Sequence, residues 1–155
     1  MKRHFPQAAL WLAGLAAICT LGLSSCETDN SWAPRPPAGW NVFYDPELAG
    51  CWQLIEANSI AVGGYDINYM EFYDNGYGYY YYYDNGYKDE ERFAYYCQLS
   101  GAAGASAYQL NIQYEYDSPV TMSYWFTGNR LWMQWRAGGY TNTYIYQRIP
   151  SIPRW

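Results

Sequence analysis

Tyr108-Gln109-Leu110-Asn111-Ile112-Gln113-Tyr114-Glu115-Tyr116-Asp117 is the stretch on which the reading of this chain turns. Every even position is apolar or aromatic and every odd one is polar. Successive side chains of an extended strand point to opposite faces, so this period of 2 predicts a half-buried strand. Tyr108, Leu110, Ile112, Tyr114 and Tyr116 share the inward face, and Gln109, Asn111, Gln113 and Glu115 meet water. The pattern repeats downstream. Val120, Met122, Tyr124 and Phe126 alternate with Thr121, Ser123 and Thr127, and Leu131, Met133 and Trp135 lie opposite Gln134 and Arg136. Between these runs stand Asp117-Ser118-Pro119 and Gly128-Asn129, both turn formers.

Upstream, Tyr-Asp-Asn-Gly-Tyr occurs twice, at Tyr73–Tyr77 and Tyr83–Tyr87. Asn-Gly between β-rich runs is a strong hairpin signal, because both residues tolerate positive φ. The predicted strands are 50–58, 66–73, 77–83, 88–98, 107–116, 120–127, 130–136 and 140–148. Only the connections 59–65 and 99–106 are longer than tight turns. Short sequential links make neighbours antiparallel. Eight such strands in order predict an all-β, up-and-down meander barrel, whose closure removes exposed edges.

Composition agrees. Of 155 residues, 50% are hydrophobic, 21% aromatic and only 15% charged. Disordered chains are poor in aromatics. A helical bundle needs more of the strong helix formers, whereas Tyr and Trp favour strands. The formal charge of -5 argues against nucleic acid, whose binders carry basic patches.

The N-terminus is an address. Lys2, Arg3 and His4 precede an apolar run of 16 residues, Ala8 to Leu23, which is short for a spanning helix. It ends at Leu23-Ser24-Ser25-Cys26, which resembles the lipobox of bacterial lipoproteins. The resemblance implies that 1–25 is a signal peptide and that Cys26 becomes the acylated N-terminus, with palmitate among the chains. An ordinary cleaved signal peptide with a free Cys26 is the alternative. Cleavage removes Lys2 and Arg3 and leaves 7 basic against 14 acidic residues, a charge of -7. The membrane partner is therefore reached through the acyl chains, at ~0.8 kcal/mol per buried CH₂. The expected location is the cell envelope, at the outer membrane. Glu27 and Asp29, directly after the Cys, resemble a surface-export signal.

Residues 26–44 form a tether with Pro34, Pro36, Pro37 and Gly39, extended in the polyproline manner. Trp40, Phe43 and Tyr44 are unusual in a spacer and are expected to fold back onto the domain. Asp45-Pro46-Glu47-Leu48 reads as a short helical turn capped by Asp45. The barrel follows as 45–149, with a tail at 150–155.

Gly50-Cys51-Trp52 resembles the Gly-x-Trp motif that opens the first strand of lipocalins, and the turn before it matches as well. Arg148 occupies the place of the lipocalin Arg that lies across that Trp and closes the barrel base. The likeness spans about residues 45–149 and extends to the short lipocalin-like domains of bacterial envelope lipoproteins. It implies structural roles for Trp52 and Arg148, stacked as a cation–π pair. The domain is short for a lipocalin, and no helix follows the last strand.

The chemistry inventory is subtractive. The only His is His4, inside the signal peptide. That excludes a Ser-His-Asp or Cys-His set in the mature chain. No phosphate loop is present, and Asp84, Asp89, Glu90 and Glu91 do not have EF-hand spacing. Glu56, Glu71 and Glu115 are the strand-borne carboxylates a glycosidase would need; most acids in so acidic a chain are simply solvated. No enzyme, cofactor or metal is expected. Cys51 and Cys97 either pair in an oxidising compartment or stay as two thiols; their strands are not neighbours in a meander. The tyrosines carry the functional expectation. Tyr79, Tyr81, Tyr108, Tyr114, Tyr116, Tyr124 and Trp135 are the candidate barrel-interior residues. They either line a pocket for a small apolar or aromatic molecule or fill the core. Outward rings such as Trp125 and Trp132 are candidates for a glycan or protein contact face.

Overall fold

The computed structural model describes Ala33, Pro36 and residues 38–84, 86–99 and 108–154, the side chain of Tyr65 excepted. The expected signal peptide 1–25, Cys26, most of the expected tether and the 100–107 connection lie outside the described residues. The strands are β1 (Val42–Phe43), β2 (Gly50–Ala57), β3 (Ile60–Ala61), β4 (Tyr69–Phe72), β5 (Tyr77–Asp84), β6 (Tyr87–Leu99), β7 (Tyr108–Tyr114), β8 (Val120–Thr127), β9 (Arg130–Ala137) and β10 (Tyr140–Ile149). Eight of them close a ring in the order β2-β4-β5-β6-β7-β8-β9-β10, with β10 returning to β2. All neighbours are antiparallel. β1 adds to the end of β6, with Phe43 opposite Cys97, so residues 42–43 belong to the barrel rather than to the tether.

The hairpins form where Asn-Gly stands. Gly76 and Gly86 both take positive φ, and Tyr77 N donates to Asn75 Oδ1 at 3.2 Å. The expected loop 59–65 is partly strand. Asn58 and Ser59 adopt φ of 51° and 66°, and the chain turns back at once to pair β3 with β2. Asn58 pins this turn to β10 through its side-chain oxygen, which accepts Thr143 N at 2.8 Å. β4 is consequently shorter than its predicted 66–73.

The period-2 reading of 108–114 holds. Leu110 and Ile112 are buried in the core, and Gln109, Asn111 and Gln113 face outward. They do not simply meet water. Gln113 Nε2 donates to the carbonyls of Tyr114 and Asp117, and Thr121 Oγ1 donates to Asn111 Oδ1 at 2.7 Å. The strand ends at Tyr114. Glu91 Oε1 on β6 accepts Tyr116 N at 3.0 Å and bends the chain out of the ladder, leaving Tyr116 84% exposed. Tyr116 is thus not an interior residue.

One end of the barrel is plugged. Asp45-Pro46-Glu47-Leu48 forms a single turn, with Leu48 N donating to Asp45 O and Glu47 N to Asp45 Oδ1. Trp52 is 1% exposed, and its Nε1 donates to Leu48 O at 2.8 Å. Arg148 Cζ lies 4.3 Å from the centroid of the Trp52 ring. Arg148 also donates to the carbonyls of Ala49 and Glu47. Gly50 sits at φ 121°, and a Cβ there would meet the Arg148 guanidinium at 2.8 Å. Phe72, Phe93, Tyr95, Cys97, Tyr124 and Phe126 fill the space above this plug.

Burying an unpaired carboxylate in this packed interior is heavily penalised. Ile112→Asp is therefore expected to abolish the cooperative melting transition. Gln147→Glu, at an exposed outward site on β10, is expected to shift stability by under about 0.5 kcal/mol. Similar melts for the two variants would contradict the inward placement of Ile112.

Candidate functional site

The register sorts the barrel into two halves. Trp52, Phe72 and Tyr124 lie toward the plug; Tyr80, Tyr114, Trp135 and Tyr144 lie toward the other end. At that end the interior is not filled. A cavity of about 280 Å³ opens between Tyr80, Tyr114, Trp135, Tyr144 and Tyr146, floored by methionines that include Met70 and Met133. Asn68, Glu91 and Asp117 complete its wall. A second cavity, of about 510 Å³, adjoins it beside the loop that joins β3 to β4. The two share Asn68, Tyr80 and Tyr144. The window exists because β4 is short and leaves the far ends of β2 and β5 apart.

The rings are mutually ordered. Trp135 and Tyr144 stack with centroids 4.5 Å apart and planes 3° from parallel. Tyr80 stacks on Tyr82 at 5.2 Å and meets Tyr114 edge-on at 6.0 Å. Burial pushes the Tyr80 hydroxyl up to about 12, and burial likewise holds Tyr114 and Tyr146 well above the ordinary phenol range. At neutral pH the cup thus presents uncharged rings and hydroxyl donors.

Several residues expected in the interior are elsewhere. Tyr79 and Tyr81 face outward, because Gly78, Tyr80 and Tyr82 take the inward positions of β5. Gly78 lies opposite Phe72, and a Cβ there would collide with the Phe93 ring and the Glu71 carbonyl. On the outer face, Tyr81 and Tyr73 each donate to Glu71 Oε2 at 3.1 Å, and Tyr79 stacks on Tyr81. Tyr108 has inward parity but sits at the plugged rim, 40% exposed, edge-on to Phe43. Tyr124 is fully buried in the plugged half and donates to Asp45 Oδ2 at 2.8 Å, so it lines no cup. Tyr114 and Trp135 are the expected residues that do line it. Tyr80, Tyr144, Tyr146, Asn68 and Glu91 were not anticipated there, nor was Tyr82 in the adjoining cavity.

Comparison with known protein families, curated proteins and solved structures finds no match for this chain. The site therefore stands on its own geometry.

The remaining candidates fall into place on that geometry. The disulfide left open by the sequence is not formed. Cys51 and Cys97 are free thiols on opposite faces of the wall, with β4 and β5 between their strands. Cys51 lies outside, 3.6 Å from Glu71 Oε1, and Cys97 lies inside beside Tyr124. Burial raises both thiols, so neither is an activated thiolate. Glu71 is engaged by its tyrosines and the Cys51 thiol. Trp125 and Trp132 stack on the outer face at 5.7 Å and 16°. Among the described residues, no three His, Cys, Asp or Glu side chains are grouped to hold a metal ion.

The buried phenols make the fold sensitive to alkali. Tyr80 is raised from 10.0 to about 12, chiefly by burial. The folded protein keeps protons that the unfolded chain releases near pH 10. That contribution is complete below pH 10 and is lost as the pH rises toward 12. Melting temperature is therefore expected to hold to about pH 9.5 and fall steeply above it, with phenolate absorbance lagging behind that of the denatured chain. Absorbance that titrates fully near pH 10 in a still-folded protein would refute the burial of these hydroxyls.

Proposed function

We propose that this chain is a lipid-anchored, lipocalin-like protein of the cell envelope, held at the outer membrane by acyl chains on Cys26. In this reading its barrel binds a small molecule in the cup at the open end. The observation that carries the reading is the unfilled, ring-lined half of the interior, opposite a half packed solid. A volume of about 280 Å³ lies near the lower end of small-molecule sites, so the ligand is about one ring system in size. Trp135 and Tyr144 provide a flat stacking surface. Asn68 stands with Tyr80 at the shared wall of the two cavities. The plug of Trp52 under Arg148, next to Gly50, supports the lipocalin likeness. The role is binding rather than catalysis, since the mature chain has no imidazole and its thiols are not activated. The lipobox and the apolar run before it support the anchor.

Two experiments test the reading. Cys26→Ser is expected to move the protein from the membrane pellet to the soluble fraction. A variant that still sediments with membranes after a high-salt wash would end the anchor proposal. For the cup, a panel of one-ring probes is titrated while tryptophan fluorescence is followed. Trp135→Ala is expected to weaken binding by about tenfold or more, whereas Trp125→Ala, on the outer face, leaves it unchanged. The reverse ranking would move the ligand to the stacked outer pair and favour a contact face over a pocket.

A further inference from the structure

The charge around the cup is one-sided. Glu91 and Asp117 line the inner cavity, and Asp66 lines the adjoining one. Among the described residues, no lysine or arginine lines either. Three of the described basic side chains are engaged elsewhere. Arg148 is in the plug, Arg92 lies over the Tyr77 ring at 4.9 Å, and Lys88 donates to Arg154 O. Glu91 faces the interior, since it lies opposite Tyr80 and two positions before Phe93 on β6. Its Oε1 accepts Tyr116 N, and Asp117 Oδ1 accepts Ser118 N at 2.6 Å. Each carboxylate is thus oriented by a backbone amide through one oxygen.

The rings carry the same preference. The face of an aromatic ring is the negative end of its quadrupole and attracts a cation. Uncharged tyrosines and an indole wall the cavity, and two fixed carboxylates stand among them. Low-dielectric walls of one sign of charge concentrate the field in the opening. A neutral ligand gains from the rings alone. An anion is repelled by the carboxylates. A ligand with an alkylated ammonium beside a ring gains from the rings and the carboxylates together. A bare metal ion is a poor fit, as no three acidic side chains converge among the described residues.

We propose that the cup selects an organic cation, an alkylated ammonium carried on or next to one ring, with Glu91 and Asp117 as its counter-charges and Tyr80, Trp135 and Tyr144 as its aromatic walls. This rests on the reading of the cup as the binding site and names the class of ligand it takes.

The test compares two probes of one shape, phenyltrimethylammonium and its uncharged isostere tert-butylbenzene, with benzoate as the anion. The lipidated full-length protein is used in detergent, against a detergent blank. The cation is expected to bind at least about tenfold more tightly than the isostere, less so as salt is added, and benzoate not at all. In Glu91→Gln/Asp117→Asn, where the amide oxygens still accept the backbone N–H groups, that preference is expected to fall to about twofold. A melting temperature within a degree or two of that of the unmodified protein shows that the fold of the variant is intact. Equal binding of both probes to the unmodified protein would overturn the cation proposal and leave the binding cup standing. A preference that survives the double substitution would also overturn it. Failure of all three probes would remove the cup as a binding site and the proposal with it.

Discussion

The Arg148 guanidinium ties the two ends of the barrel sequence to each other. It lies on the Trp52 ring and donates to the carbonyls of Ala49 and Glu47, so one planar group satisfies the turn before the first barrel strand and covers its largest buried side chain. Arg148 sits on the last strand and is paired in register with Trp52 on the first. Closure of the ring and closure of its end are therefore one event. A five-donor fork with an apolar face suits both tasks, and a lysine would suit neither as well. Above this plug the packing has a floor to build on, and the other end needs none.

The two halves use different aromatics for a physical reason. After Phe5 the chain has Phe43, Phe72, Phe93 and Phe126, and they cluster in the plugged half and at the waist. A phenyl ring brings no hydroxyl that needs a partner in a dry core. The tyrosines that do enter that half are provided for: Tyr124 donates to Asp45, and Tyr95 donates to Tyr73 O at 2.6 Å. Tyr80, Tyr82, Tyr114, Tyr144 and Tyr146 take the open half, where water or a ligand reaches hydroxyls that packed carbon would leave unpaired. An eight-stranded ring is too narrow to hold a complete core and a ligand at one level. Dividing it along its axis lets the plugged end hold the fold and leaves the open end hollow.

Much of the barrel was legible because β-structure writes itself locally. Alternation in 108–114, 120–127 and 130–136 and the Asn-Gly turns placed the strands within a few residues. Parity across a hairpin was the weak point. Five consecutive tyrosines carry no hydrophobic contrast, so Tyr79 to Tyr83 do not show which three face out. The contrast lies one strand earlier, in Met70 and Phe72 flanking Glu71. The tight turn at Asn75-Gly76 sets Phe72 opposite Gly78 and Met70 opposite Tyr80. Carrying parity through that turn places Tyr80 and Tyr82 inside. The same step from Trp52 puts Cys51 outside, away from Cys97. Tyr116 failed differently. Its alternation runs on unbroken, but the strand is ended by Glu91, which is distant in sequence.

The cup was the least legible part because it depends on something missing rather than on a motif. Its volume comes from the brevity of β4, and that follows from the turn at Asn58. Two consecutive residues in the left-handed region send the chain back along β2 as β3, and the connection that should have completed β4 is spent on a loop. Asn58 holds this arrangement because its backbone and side chain both bond Thr143 on β10. A strand running the full predicted 66–73 would have continued the ladder beside β5 and sealed the window next to Tyr80. The opening thus traces to a backbone choice at one asparagine, made affordable by a partner across the barrel seam. No pattern within 58–68 discloses that partner, so the barrel could be read from the sequence and the opening in its wall could not.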